Sequence, residues 1–121
     1  MLIISLGVMI GFKNVEFNKM RLTQNQKKVI LENTQQYFGT NSTIWLFGSR
    51  VDDSKKGGDI DLYVETYLND SEIIPAKMKF LSSLYNAFGE QKIDLVLHQM
   101  QKNIVYPIYE HARTTGAKLC P

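Results

Sequence analysis

Hydrophobic positions along the chain alternate between the spacing typical of helices and the spacing typical of strands. Apolar residues recur at helical spacing over residues 23–38, where Thr23 and Gln26 match the capping box that begins a helix. Residues 43–47 form a short apolar and β-branched run that ends in Gly48-Ser49, which is typical of a strand entering a tight turn. The pattern predicts a helix, a strand and a turn, followed by a short helix over residues 49–54 and a loop over residues 55–58.

Two strands joined by a long helix follow in the pattern. Residues 59–65 and residues 92–98 each alternate between apolar and polar positions, which places Asp59 and Asp61 on one face of the first strand and Asp94 on one face of the second. A strand, helix and strand of this length predict a right-handed crossover and a parallel pair of strands, so Asp94 is expected beside Asp59 and Asp61. The apolar residues of the connecting segment predict a core-facing stripe made of Ile74, Met78, Leu81, Leu84, Tyr85 and Phe88.

The last part of the chain predicts one more helix and an edge strand. Ile104, Ile108 and Ala112 share a helical face that Pro107 interrupts, and a short run follows over residues 117–120. We expect this helix, of two or three turns, to pack on the sheet. Together the elements predict an α/β (α+β) fold with a small mixed β-sheet of three to four strands flanked by helices.

Length and composition indicate one ordinary globular domain. The chain has 121 residues, of which 44% are hydrophobic and 21% charged. This size allows one core but no deep cleft between two lobes, so we expect a partner to help form any substrate site. The 14 basic and 12 acidic residues give a net charge of +2, too close to neutral to indicate stable binding to nucleic acid.

The chain carries no pattern that indicates export or a membrane anchor. Residues 2–12 are uncharged and mostly apolar, but they are about half as long as the roughly 20 residues that span a bilayer, and no basic residues precede them. Residues 1–20 are compatible with an added strand or with an N-terminal extension outside the fold; we favour the extension and interpret residues 21–121 as the domain. The single cysteine, Cys120, fits a reducing cytoplasm.

The carboxylates on the two predicted strands are the strongest chemical signal. Three carboxylates on aligned strand faces repel one another unless a cation is present. Mg²⁺ prefers carboxylate oxygens and is usually held by one or two of them together with substrate phosphates. Asp59, Asp61 and Asp94 are therefore candidate metal ligands, and Gly48 and Ser49 offer backbone N–H groups and a hydroxyl to a phosphate.

Other polar and aromatic residues are less informative about function. Arg50, Lys55 and Lys56 supply positive charge near the turn. Trp45 is predicted to lie in the core, and His98 to be a half-exposed residue at a strand end. The tyrosines are expected to be packing residues with solvated hydroxyl groups, namely Tyr63, Tyr106 and Tyr109.

Each of these motifs taken singly is more often structural than functional, but their order along the chain is specific. In that order the sequence resembles the minimal nucleotidyltransferases of the DNA polymerase β-like superfamily. The matching segments are Leu46-Phe47-Gly48-Ser49-Arg50, Gly58-Asp59-Ile60-Asp61-Leu62 and Lys92-Ile93-Asp94-Leu95-Val96. The resemblance covers about residues 21–119. It departs from many relatives in the loop, where this chain has Asp52-Asp53 and Gly58.

The resemblance implies a fold similar to the polymerase β palm and the transfer of a nucleoside monophosphate from a triphosphate to a hydroxyl group. By this resemblance Asp59, Asp61 and Asp94 hold Mg²⁺, with two ions expected, and act as the catalytic residues. Gly48, Ser49 and Arg50 bind the nucleotide. Chains of this kind are commonly paired with a helical RNase toxin of the HEPN type and act as its antitoxin by adenylylating a tyrosine, so the resemblance implies ATP as substrate and a hetero-oligomer with such a toxin.

Two other functions are compatible with the same segments. A nucleotidyltransferase that modifies small molecules such as aminoglycosides has a similar core, although it normally carries an added helical domain. A binding module without catalytic activity, which neutralises a toxin by covering it, is the other alternative. The presence of all three carboxylates disfavours that module, because a degenerate site is expected to lose at least one of them.

Overall fold

The computed structural model describes residues 22–48 and 59–121. The predicted extension over residues 1–20, the predicted short helix over residues 49–54 and the predicted loop over residues 55–58 lie outside these ranges. So do Ser49 and Arg50, two of the three predicted nucleotide-binding residues.

The described residues form three helices and a four-stranded mixed sheet, as the α/β prediction expects. The elements in chain order are α1 (Gln24–Phe38), β1 (Thr43–Phe47), β2 (Ile60–Thr66), α2 (Asp70–Phe88), β3 (Ile93–Gln99), α3 (Pro107–Thr115) and β4 (Ala117–Lys118). The strand order is β3-β2-β1-β4. The pair β2–β3 is parallel, which confirms the prediction from the strand, helix and strand unit, and β1 pairs antiparallel with both β2 and β4.

The long helices begin where side chains cap their free N–H groups. At α1 the Thr23 hydroxyl accepts a hydrogen bond from the Gln26 backbone N–H, and the Gln26 side chain accepts from the Thr23 N–H, both at 3.0 Å. This confirms the predicted capping box. Asn69 caps α2 in the same way, with Glu72 as its reciprocal partner. None of the described helices is long and apolar enough to cross a membrane.

The core lies between the sheet and the pair of helices α1 and α2. The rings of Phe38 on α1 and Phe80 on α2 lie 5.0 Å apart and are both fully buried. A smaller cluster on the opposite face packs α3 against the sheet through Tyr109, Ala112, Phe47 and Tyr63. The sheet is therefore covered by helices on both faces.

The predicted core-facing stripe of α2 is partly wrong. Ile74 and Met78 are each 59% exposed and Tyr85 is also exposed. The buried residues of α2 are Ile73, Ala76, Phe80 and Leu84. The predicted and the observed buried residues both recur every three or four positions. Which set is buried depends on how α2 contacts α1 and the sheet, and the periodicity of α2 alone does not show this.

Four smaller predictions also need correction. Ile104 and Ile108 are exposed, and α3 buries Tyr109 and Ala112 instead. Trp45 is only partly buried, at the side of the smaller cluster. The predictions for His98 and Tyr63 are further from the structure. His98 is buried, and the Tyr63 ring is fully enclosed with its hydroxyl group hydrogen-bonded within the protein.

Candidate active site

Three strand ends meet at one edge of the sheet. In the antiparallel pair Phe47 lies opposite Asp61, so the end of β1 is beside the beginning of β2. In the parallel pair Asp61 lies opposite Asp94, so β3 begins at the same edge. Gly48 follows directly after β1. The register therefore gathers Gly48, Asp61 and Asp94, three of the residues that the sequence singles out.

Gly48 is in close contact with the Asp61 carboxylate. Its φ of +77° lies in the left-handed region, which side chains disfavour. A Cβ atom built on Gly48 would overlap Oδ2 of Asp61. Only glycine allows the chain to leave β1 in this conformation with the carboxylate so close, so the position is constrained both by backbone conformation and by space.

The carboxyl groups of Asp61 and Asp94 lie close enough for a hydrogen bond, which one of them can donate only when it is protonated. Burial raises the pKa of Asp61 to about 6, and the hydrogen bond with Asp94 and the negative charges of Asp94 and Asp59 act in the same direction. The positive charge of Lys92 opposes them. Two carboxyl groups held together in this way favour a shared proton or a cation between them.

Asp59 lies at the same edge of the sheet, but its carboxylate forms an ion pair with a lysine. Its Oδ2 lies 3.7 Å from Nζ of Lys92, an ion pair in contact with solvent. Within residues 22–48 and 59–121, no three side chains of His, Cys, Asp or Glu converge on one metal position. The structure therefore brings Asp61 and Asp94 together and leaves Asp59 nearby, paired with Lys92.

The donor set at this edge fits Mg²⁺. The ion takes hard oxygen ligands and is typically held by one or two carboxylates, with phosphate oxygens and water completing its shell. The Asp61–Asp94 pair supplies the two carboxylates, and their mutual repulsion when ionised favours a divalent cation. The backbone at Gly48 lies against the Asp61 carboxylate, so a phosphate bound at this turn would lie beside that carboxylate.

A second polar network lies farther along the same strands. The Tyr63 hydroxyl donates to Oε2 of Glu65 at 2.7 Å, and Nδ1 of His98 lies 2.8 Å from the same hydroxyl. Glu65 is also 3.5 Å from the Arg113 guanidinium. This network was not predicted from the sequence; the parallel pairing of the two strands was, and the observed register places Glu65 opposite His98.

Comparison of the chain with protein-family models and with curated proteins finds no match.

Proposed function

We propose that the chain is a Mg²⁺-dependent nucleotidyltransferase that moves AMP from ATP to a hydroxyl group. The observation that carries the proposal is the Asp61–Asp94 pair, held against the backbone of Gly48 at a single sheet edge. A carboxylate pair beside a tight glycine turn suits a metal-bound triphosphate. The resemblance of the surrounding segments to the minimal nucleotidyltransferases supports the same reading.

In the proposed reaction the acceptor oxygen forms a bond to the α-phosphorus of ATP, and the bond from that phosphorus to the bridging oxygen breaks, releasing pyrophosphate. Asp61 and Asp94 would hold Mg²⁺, and Asp59, which lies at the same edge and is paired with Lys92, would be a third ligand. When bound, Mg²⁺, with two ions expected, would supply positive charge to offset the charge that develops on the attacking and leaving oxygens. Asp94 accepts the proton of the acceptor hydroxyl, and Gly48, Ser49 and Arg50 hold the phosphates.

We further propose that the acceptor is a tyrosine of a HEPN-type helical toxin and that the chain is its cytoplasmic antitoxin. The described residues form one sheet with its helices, and among them no second lobe encloses an acceptor, so in this proposal another protein supplies that half of the site. The acceptor hydroxyl is then presented on the surface of the toxin, next to the sheet edge that carries Gly48, Asp61 and Asp94. The pair forms a hetero-oligomer for at least the time of transfer.

The test is incubation of the purified chain with ATP, Mg²⁺ and the product of the adjacent reading frame, which is the proposed toxin, followed by intact-mass measurement. The toxin is expected to gain the mass of AMP with the wild-type chain and not with Asp61→Asn or Asp94→Asn. Asp70→Asn is the matched control, because Asp70 is an exposed aspartate at the start of α2, outside the site. Its variant is expected to retain transfer.

Two results would contradict the proposal. A stable complex that inhibits the toxin without any mass gain would favour a binding module that acts by covering its partner. Transfer of AMP to an aminoglycoside but not to the toxin would instead indicate a small-molecule nucleotidyltransferase.

A further inference from the structure

His98 lies at the far end of β3 from the carboxylate pair. It is the fourth residue after Asp94, a spacing of about 13 Å at roughly 3.3 Å per residue of strand. It is 9% exposed, and its ring stacks on Tyr109 with centroids 4.0 Å apart and planes 13° apart. At that distance the imidazole takes no part in chemistry at Asp94, so the carboxylate pair does not account for a histidine at this position.

The hydrogen bonds around Tyr63 fix which nitrogen of His98 carries the proton. The Tyr63 hydroxyl has one proton and donates it to Glu65, whose carboxylate also faces the Arg113 guanidinium. The contact between that hydroxyl and Nδ1 of His98 must therefore use a proton on Nδ1. Burial lowers the pKa of His98, which favours the neutral ring, and in the tautomer with the proton on Nδ1 the Nε2 atom keeps a lone pair.

Nε2 of His98 is open to solvent, and His98 lines a small cavity. Among the described residues, no buried side-chain nitrogen or oxygen lacks a hydrogen-bond partner, and the structure gives Nε2 of His98 none. This nitrogen is therefore reached by solvent. His98 lines a cavity of about 150 Å³, whose other walls are Leu97, Gln99, Lys102, Ile104, Tyr106 and Tyr109.

The surroundings of the cavity fit a protein partner better than a small molecule. Pockets for small ligands usually measure roughly 300–1,000 Å³, so this cavity has room for about one side chain. Its rim continues into exposed apolar residues in a single short segment, namely Ile104, Val105, Tyr106 and Ile108, which are between 39% and 72% exposed. A cluster of exposed apolar residues around a pocket is typical of a protein–protein contact.

We propose that His98 and this cavity form a docking pocket for a partner protein that inserts one aromatic side chain bearing a hydrogen-bond donor, a tyrosine or a tryptophan. The donor meets Nε2 of His98, the ring lies among Tyr106, Tyr109 and Ile104, and the exposed segment packs around it. Tyrosine and tryptophan combine an apolar body with a donor and are enriched at the centres of interfaces. Because the pocket is at the opposite end of β3, the proposal stands independently of nucleotidyl transfer.

The first test reads the tautomer and the pocket directly by NMR of the full chain. Long-range ¹H–¹⁵N spectra are expected to show His98 protonated on Nδ1 alone, with exposed His111 as the internal reference. Phenol is the probe for the donor-bearing ring and toluene is its matched control without a donor. Phenol is expected to shift the His98 ring signals at millimolar concentration and toluene to shift them far less. A proton on Nε2, or equal shifts with both probes, would overturn the proposal.

The second test asks whether a protein segment is the occupant. Peptides selected from a random displayed library against the wild-type chain, and counter-selected against Tyr106→Ala, are expected to contain a tyrosine or tryptophan flanked by apolar residues. Replacing that tyrosine with phenylalanine is expected to weaken binding about tenfold, the value of one hydrogen bond. Tyr85→Ala, at an exposed tyrosine on α2, is the control that leaves binding unchanged.

Three outcomes of the second test would overturn the proposal. The first is the absence of aromatic donors among the selected peptides. The second is binding that is indifferent to loss of the peptide hydroxyl. The third is self-association of the chain that Tyr106→Ala abolishes, because the occupant would then be a second copy of the chain.

Discussion

The Asp61–Asp94 pair makes the stability of the fold depend on pH in a direction opposite to that of carboxylates that are paired with cations. The pKa of Asp61 is raised from 3.8 to about 6 by burial first and by Asp94 next. The folded state therefore binds a proton that the unfolded state has already released. This contribution to stability is complete below about pH 4 and is lost as the pH rises through about 6. Asp61→Asn, which keeps the shape and cannot ionise, should remove that loss.

The expected size of the effect follows from the pKa difference and from the solvent contact of the pair. The change corresponds to roughly 3 kcal/mol at about 1.4 kcal/mol per pKa unit. Asp61 is half-buried and Asp94 is exposed, so solvent screens much of their interaction. We expect Asp61→Asn to raise the free energy of unfolding by about 1 kcal/mol at pH 8 and to leave it nearly unchanged at pH 4.

Urea denaturation of both proteins at pH 4 and pH 8, in the presence of a chelator, measures this difference. Asp70→Asn is a control with the opposite sign. Hydrogen bonds from Lys102 and Gln99 lower the pKa of Asp70, so removing its charge should destabilise the fold at pH 8 and have less effect as the pH falls through the ordinary aspartate range.

Added Mg²⁺ should then stabilise the wild type more than Asp61→Asn. If Asp61→Asn were less stable than the wild type at pH 8, the pair would not be repulsive and the reasoning would fail.

Three further predictions concern the backbone and the core. Gly48→Ala should destabilise the fold by about 1–3 kcal/mol, because of its positive φ and the contact with Asp61, and should abolish AMP transfer. Gly39→Ala, whose φ of +106° carries a similar backbone cost away from the site, should destabilise the fold in urea but preserve transfer. Phe80→Ala should cost roughly 3–5 kcal/mol in urea denaturation by opening a cavity against α1, and a cost below 1 kcal/mol would place Phe80 outside the core. Asn69→Ala should lower the free energy of unfolding by about 1 kcal/mol, because it removes the N-cap of α2. Thermal unfolding measures this loss, and Asn69→Asp should largely avoid it because aspartate also caps helices.

The alternation of the strands was enough to predict much of the candidate site. An alternation of apolar and polar residues over seven positions clearly indicates a strand. Two strands joined by a helix of this length are expected to be parallel. Those two facts place Asp61 beside Asp94 once the register is set. Gly48 was predicted as a phosphate turn, and its contact with the Asp61 carboxylate follows from the antiparallel register of β1, which the sequence does not specify.

The side chains that were misplaced depend on contacts between distant elements. Helix α2 carries two overlapping apolar stripes, and the contact with α1 decides that Phe80 rather than Met78 is buried. Burial of His98 depends on α3, because Tyr109 covers its ring. The ion pair between Lys92 and Asp59 likewise depends on side-chain positions that periodicity does not specify.

The most direct test of the proposed chemistry is to follow which phosphate of ATP reaches the acceptor. The chain, Mg²⁺ and the toxin are incubated in parallel with ATP labelled at the α-phosphate and with ATP labelled at the γ-phosphate. Nucleotidyl transfer predicts label on the toxin from the α-position only, dependent on Mg²⁺ and lost with Asp61→Asn and Asp94→Asn. Label from the γ-position, or α-label that persists in both variants, would contradict the account.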